Sequence, residues 1–239
     1  MAKNLVLLAG TSASGKSSSL MNLRDQTGVM YLCCESGKEL PFPNKFKQYT
    51  ITDPMQVYEA FSVAETKDDV HTIVVDSLNF MMDMYESVHV LPSTNTMKMW
   101  GEYSQFFKNL MQQYVAKSTK NVIFTAHTKD VLNESEMVME TKVPVKGALN
   151  GAGIEAWFTV IIGCKRVPTK KLEPFKNDML EITEDNIEDE FKYVYQTRLT
   201  KETVNERIRG PIGMFKRSET YTDNDVQKLL DHLTEYYEM

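Results

Sequence analysis

Gly10-Thr11-Ser12-Ala13-Ser14-Gly15-Lys16-Ser17 is a complete G-x-x-x-x-G-K-[ST] pattern, and its flanks decide the fold. Leu5-Val6-Leu7-Leu8-Ala9 before it is an unbroken apolar run, the mark of a parallel strand buried on both faces. Ser17-Ser18-Ser19-Leu20-Met21-Asn22-Leu23 after it predicts the start of a helix. Glycines let such a loop wrap closely around phosphate oxygens, so its N–H groups and the helix N-terminus point at the anion. Gly10, Thr11, Ser12, Ala13, Ser14, Gly15, Lys16, Ser17 and Ser18 are therefore the expected phosphate cradle. Lys16 would reach the β- and γ-phosphates and the Ser17 hydroxyl would ligate Mg²⁺. The sequence predicts a nucleoside triphosphate site, with ATP and Mg²⁺ as its ligands.

Composition narrows the class. At 239 residues the chain fits one sizeable α/β domain, expected over 1–239, with little room for a second. Apolar content of 42% and charge of 25% are ordinary for a globular protein. The apolar runs fall far below the roughly 18 residues of a membrane span, and Met1-Ala2-Lys3-Asn4 carries no secretory signal pattern. Cys33, Cys34 and Cys164 read as buried, reduced small hydrophobes, which implies a reducing, cytoplasmic setting without a membrane partner. Net charge is −6, which argues against nonspecific coating of nucleic acid but not against a local basic groove. Glu181, Glu184, Asp185, Glu188, Asp189 and Glu190 form an acidic stretch expected to be solvated.

Strand-like and helix-like runs alternate. Strands are expected at Met30–Cys34, Phe46–Ile51, His71–Asp76, Asn121–Ala126 and Ala156–Cys164. Asp53 is expected to cap a helix with Pro54 in its first turn and Val57, Phe61 and Ala64 on one face. A long amphipathic helix is expected from Met99 to Val115. Phe191–Leu199 and Ile212–Lys216 read as a late antiparallel pair, and Thr222 or Asp223 as the cap of a last helix, about 222–237. Alternation of this kind predicts a mostly parallel twisted sheet flanked by helices on both faces.

Three further strand tips carry candidate chemistry. Asp76 ends Ile73-Val74-Val75-Asp76 at the sheet edge where open α/β sheets bind ligands, and there it can hold Mg²⁺ with Ser17. Glu35, after Met30-Tyr31-Leu32-Cys33-Cys34, could orient or deprotonate water; otherwise it is a surface or capping residue. His127, after Val122-Ile123-Phe124-Thr125-Ala126, could touch a γ-phosphate; otherwise it is a hydrogen-bonded loop histidine.

These four tips in this order resemble the RecA-like ATPase core, over roughly residues 3–217. Thr72-Ile73-Val74-Val75-Asp76-Ser77 resembles that family's Walker B strand, and Met30 to Glu35 the strand delivering its catalytic glutamate. Asn121 to His127 resembles the strand of its γ-phosphate sensor, where bacterial recombinases usually have Gln and small phage relatives have His. Lys146-Gly147 through Ile154-Glu155-Ala156-Trp157-Phe158 resembles the stretch closing the second DNA-binding loop. Asn205-Glu206-Arg207-Ile208-Arg209-Gly210-Pro211-Ile212-Gly213 resembles the turn that presents an arginine finger in DnaB-type hexameric helicases. Arg207 and Arg209 both remain candidates for that role, with Lys201 a third; such a cation in trans is worth about 10³–10⁵ in rate.

Asp83–Lys98 and Thr128–Asn150 match the two DNA-binding loops in position. The first holds Met84, Tyr85, His89, Met97 and Lys98; the second Lys129, Lys142 and Lys146 among Asp130, Glu134, Glu136 and Glu140. Aromatics stacking on bases while lysines track phosphates is the corresponding chemistry. The resemblance implies a small ATPase that acts on single-stranded DNA in phage recombination, annealing or replication, within the host cytoplasm. It implies a homo-oligomer, ring or filament, and a single-strand-binding or replication protein as partner. The N-terminal helix and strand and the C-terminal domain of cellular recombinases are expected to be missing. A phosphate-loop kinase of a nucleotide or small metabolite, and a regulatory ATPase that does not bind DNA, are the rival readings.

Overall fold

The computed structural model describes residues 3–238; Met1 and Ala2, part of the N-terminal reading, lie outside the described residues, as does Met239. The strands are β1 (Leu5–Gly10), β2 (Val29–Cys33), β3 (Lys47–Thr50), β4 (Thr72–Asp76), β5 (Asn121–His127), β6 (Lys129–Asn133), β7 (Val138–Lys142), β8 (Val160–Pro168), β9 (Phe191–Gln196) and β10 (Tyr221–Asp223). Eight of them form one sheet in the order β10-β9-β8-β1-β5-β4-β2-β3. Every pairing from β3 to β8 is parallel, whereas β9 and β10 add antiparallel strands at one edge.

The unbroken apolar runs are explained by two cores. Leu7, Leu32, Ile73, Val75, Phe124 and Ile161 face one layer, built from α1 (Gln56–Glu65), α2 (Leu78–Tyr85) and α3 (Thr96–Asn109). Their neighbours Val6, Leu8, Tyr31, Val74, Ile123 and Ile162 face the other, which the helix Val226–Glu238 covers with Val226, Leu229, Leu230 and Leu233. Successive strand residues point to opposite faces, so burial on both sides removes any alternation. Each such Leu, Ile or Phe contributes about 1.5–3 kcal/mol. Among the described residues no helix is long and apolar enough to cross a membrane.

Several boundaries differ from expectation. Only a short 3-10 turn, Ser18–Leu20, follows the Gly-rich loop in place of a helix. The Ser18 and Ser19 hydroxyls donate to the Gly15 and Lys16 carbonyls, competing with a regular helical start. Asp53 accepts from the Met55 N–H in a turn, and α1 begins two residues later than Pro54 allowed, at Gln56. The last helix is capped by Asp225, which accepts from the N–H groups of Gln227 and Lys228; Thr222 and Asp223 belong to β10. β9 pairs with β8 and β10, while the stretch 212–216 is a turn. The long helix runs as α3 and continues in a π-helical turn, Leu110–Tyr114.

The two long segments are also more ordered than loops. Glu86–Val90 extends α2 as a π-helical turn, and Tyr85 is buried against His89, Tyr103 and Phe106, which removes it as a base-stacking surface. The second segment folds as a β6–β7 hairpin with Lys129 directly across from Lys142.

Candidate active site

Parallel pairing from β1 to β2 brings four strand tips to one sheet edge. β5 lies between β1 and β4, so Gly10 is in register with His127 and Cys33 with Asp76. The loop after β1 is held by its glycines. A Cβ on Gly10 would stand 2.4 Å from the Cys164 carbonyl of β8, and Gly15 has φ +91 with its would-be Cβ 2.7 Å from Asn224 Nδ2. No other residue fits either place without displacing backbone or its neighbours. With only a 3-10 turn following, the loop's own N–H groups make the anion seat, rather than a long helix dipole.

Lys16 is buried and folds back over the loop. Its Nζ donates to the carbonyls of Gly10 at 3.0 Å and Thr11 at 2.7 Å, and lies 3.5 Å from Nδ1 of His127. Burial pushes its ammonium below the usual lysine range, with the Asp76 and Glu35 carboxylates opposing that shift. Phosphate would give the charge the anionic partner that two carbonyls only approximate.

Asp76 is 2% exposed and accepts three hydroxyl hydrogens. Ser17 Oγ and Tyr31 OH donate to its Oδ2, each at 2.8 Å, and Thr125 Oγ1 to its Oδ1 at 2.5 Å. A buried carboxylate needs such donors to remain charged. Burial, with the Asp76 carboxylate beside it, holds the Tyr31 phenol well above the usual tyrosine range. One carboxylate beside one serine hydroxyl fits Mg²⁺, a hard cation that takes few protein oxygens and shares the rest with water and phosphates. Ser17 and Asp76 would hold it, and the charge it supplies when bound would offset that of the phosphates.

Glu35 follows β2 and faces His127 and Lys38. His127 Nε2 lies 3.3 Å from Oε1, and Lys38 Nζ donates to Oε2 at 3.0 Å. A carboxylate only accepts, so Nε2 carries an imidazole hydrogen toward it, while Nδ1 faces Lys16. The bond from His127 is the chief reason that the Glu35 carboxyl is pushed down to about 2; Lys38 adds to it and burial opposes it. Ser12–Ser18, Tyr31, Glu35, Asp76, His127 and Tyr193 all line one cleft of about 380 Å³.

Three contributors carry no motif. Asn224, beyond β10, donates from Nδ2 to the Gly15 carbonyl at 2.9 Å. Thr125 and Tyr31 sit inside apolar strands, where an isolated hydroxyl is their only signal.

The remaining candidates lie outside that cleft. Arg207 is exposed and pairs with Glu140 of the hairpin at 3.2 Å. Arg209 spends its guanidinium on its own fold: Nε donates to the Phe158 carbonyl at 2.9 Å and Nη2 to the Glu155 carbonyl at 2.7 Å. Lys98 and Lys129 are exposed, Lys142 is half-buried, and Lys146 pairs with Glu86. Lys129 and Lys142 come together; the structure joins neither to Lys98. Cys33, Cys34 and Cys164 are buried and free, and burial pushes the Cys164 thiol up to about 12.

No curated protein matches this chain. A family model described as an AAA domain matches residues 2–222. That span takes in the phosphate loop, Glu35, Asp76 and His127, and the chain belongs to the AAA domain family, a nucleotide-binding ATPase domain with a phosphate loop.

Proposed function

We propose that this chain is a RecA-like ATPase of the small phage type, acting on single-stranded DNA in recombination, annealing or replication. The observation that carries this reading is the single line of contacts from Lys16 through His127 to Glu35. Lys16 binds phosphate, Glu35 orients the attacking water, and His127 touches both. Ser17 and Asp76 serve Mg²⁺. The β6–β7 hairpin leaves β5 one residue after His127, so a ligand on the hairpin acts on the sensor directly. Lys129 and Lys142 on one face of the hairpin offer phosphate contacts, and exposed Leu132 and Met139 on the other offer apolar ones. Homo-oligomerisation follows if Arg207 serves a neighbouring subunit, as its exposure allows.

One observation favours a transferase instead. A second cleft of about 420 Å³ opens on the other side of the loop, lined by Gly10–Ser14, Lys142, Arg166 and Arg207. It has room for a phosphoryl acceptor. ATP turnover measured with and without single-stranded DNA separates the two readings. Stimulation by DNA, with one free phosphate per ADP, supports the first. ADP formed without free phosphate in the presence of nucleosides or small metabolites supports the second.

A further inference from the structure

We infer that Asn79 is a positioning residue for hydrolysis: it clamps the backbone of His127 and so sets the imidazole against Glu35. The inference rests on the role of His127 proposed above. Asn79 stands three residues after Asp76, in the first turn of α2, and is buried with 9% exposure.

Its side-chain amide engages both backbone groups of one residue. The His127 N–H donates to Asn79 Oδ1 at 2.6 Å, and Asn79 Nδ2 donates to the His127 carbonyl at 3.3 Å. The second hydrogen of the same nitrogen reaches the Pro144 carbonyl, also at 3.3 Å. Both of its donor hydrogens and one lone pair of its oxygen are thus turned on the end of β5 and on the chain just beyond β7. His127 ends β5, opposite Gly10 of β1, and beyond Val75 of β4 and Phe124 of β5 no further β4–β5 ladder pair steadies it. Asn79 supplies on that side what the ladder lacks. Phe80, the next residue of α2, packs its ring edge-on to the imidazole at 5.8 Å and limits its rotation.

The consequence is geometric. His127 holds Glu35 at 3.3 Å while facing Lys16 at 3.5 Å, and both contacts depend on where the β5 tip stands. Misplacement by about 1 Å is enough to cost about 10²-fold in a positioned reaction. Because Pro144 shares the amide, movement of the hairpin's exit is felt at the same point. Among the described residues Asn79 has no hydrogen bond to Lys16 or Glu35, and the group it holds that touches both is His127.

A mutant cycle tests this. Asn79→Asp keeps the acceptor for the His127 N–H and loses the donor; Asn79→Leu loses both. ATP affinity and turnover are measured for each, alone and with His127→Ala, alongside the melting temperature. We expect nucleotide affinity within about threefold of the parent and kcat lowered about 10–100-fold, more for Leu than for Asp. In the His127→Ala background either change should lower kcat by less than about twofold. Asn79 substitutions that slow the His127→Ala protein as much as the parent would overturn the inference and leave the role of His127 standing. Normal turnover by His127→Ala would overturn both. Should Asn79→Leu fail to fold, Asn79→Asp alone decides: an unchanged kcat overturns the inference.

Discussion

His127 holds Glu35 by its Nε2, 3.3 Å from the carboxylate, so the residue that would address water is itself fixed by a hydrogen bond. Lys38 occupies the other oxygen. A carboxylate engaged in this way is a weak base but a well-oriented acceptor, which favours positioning water over removing its proton early. Glu35→Gln keeps the shape and loses the charge. It should bind ATP with parental affinity and hydrolyse it at least about 10²-fold more slowly. Parental turnover in a single-turnover assay would make Glu35 structural.

The same contacts fix a pH dependence. The Glu35 carboxyl is pushed down to about 2 from the ordinary 4.5, so the folded state binds the proton more weakly than the unfolded chain does. The stability it contributes is therefore fully present above about pH 4.5 and is lost as the pH falls toward 2. Thermal melts from pH 6 down to about pH 3 should show a smaller decline for Glu35→Gln than for the parent. Parallel declines would mean that the carboxylate gains nothing from His127 and Lys38.

Lys16→Ala should abolish ATP binding while the chain remains folded. Its ammonium now meets only the Gly10 and Thr11 carbonyls and His127, so removal leaves no buried carboxylate unpaired. Calorimetry should show no nucleotide binding, and circular dichroism an unchanged spectrum. Parental affinity would sink the phosphate role of Lys16.

Tyr31→Phe removes one of the three hydroxyl donors to Asp76. A hydrogen bond to a buried charge is worth about 1.5–3 kcal/mol, so the nucleotide-free protein should lose about that much in urea unfolding. ATP binding should persist, since Ser17 and Thr125 still hold the carboxylate. An unchanged unfolding midpoint would show that the phenol adds nothing there.

Arg207 and Arg209 should separate cleanly. Arg209→Ala strips donors from the Phe158 and Glu155 carbonyls and should lower stability by about 1–3 kcal/mol. Arg207→Ala breaks only a surface pair with Glu140 and should leave stability within about 1 kcal/mol. If Arg207 serves a neighbour, specific activity rises with protein concentration, and mixing Arg207→Ala with Lys16→Ala restores part of it. Concentration-independent activity without rescue would mark a self-sufficient monomer.

Much of this site is legible in the chain because parallel strands end at a common edge. Gly10–Ser17, Glu35, Asp76 and His127 each follow a largely apolar run, and the structure brings them together. Their supports are less visible. Tyr31 and Thr125 lie within strands, where period and composition describe the core and not a hydrogen bond to Asp76. Asn79 is one polar residue in an otherwise apolar turn. The serines after Lys16 mislead more directly: their hydroxyls donate to the Gly15 and Lys16 carbonyls, in competition with helical N–H groups. The second loop becomes a hairpin because Lys129–Asn133 pairs with Val138–Lys142, a partnership that its mixed charges conceal.

Asn224 reaches back 209 residues to the carbonyl of Gly15, and Asn22 meets Asp225 in the same neighbourhood. During synthesis the phosphate loop leaves the ribosome before β9 and β10, and its bracing only after them. A nascent or prematurely terminated chain thus carries every residue of the motif without the clasp that shapes it. A chain released before Asn224 keeps the letters of the phosphate loop but not the hydrogen bond that braces the Gly15 carbonyl.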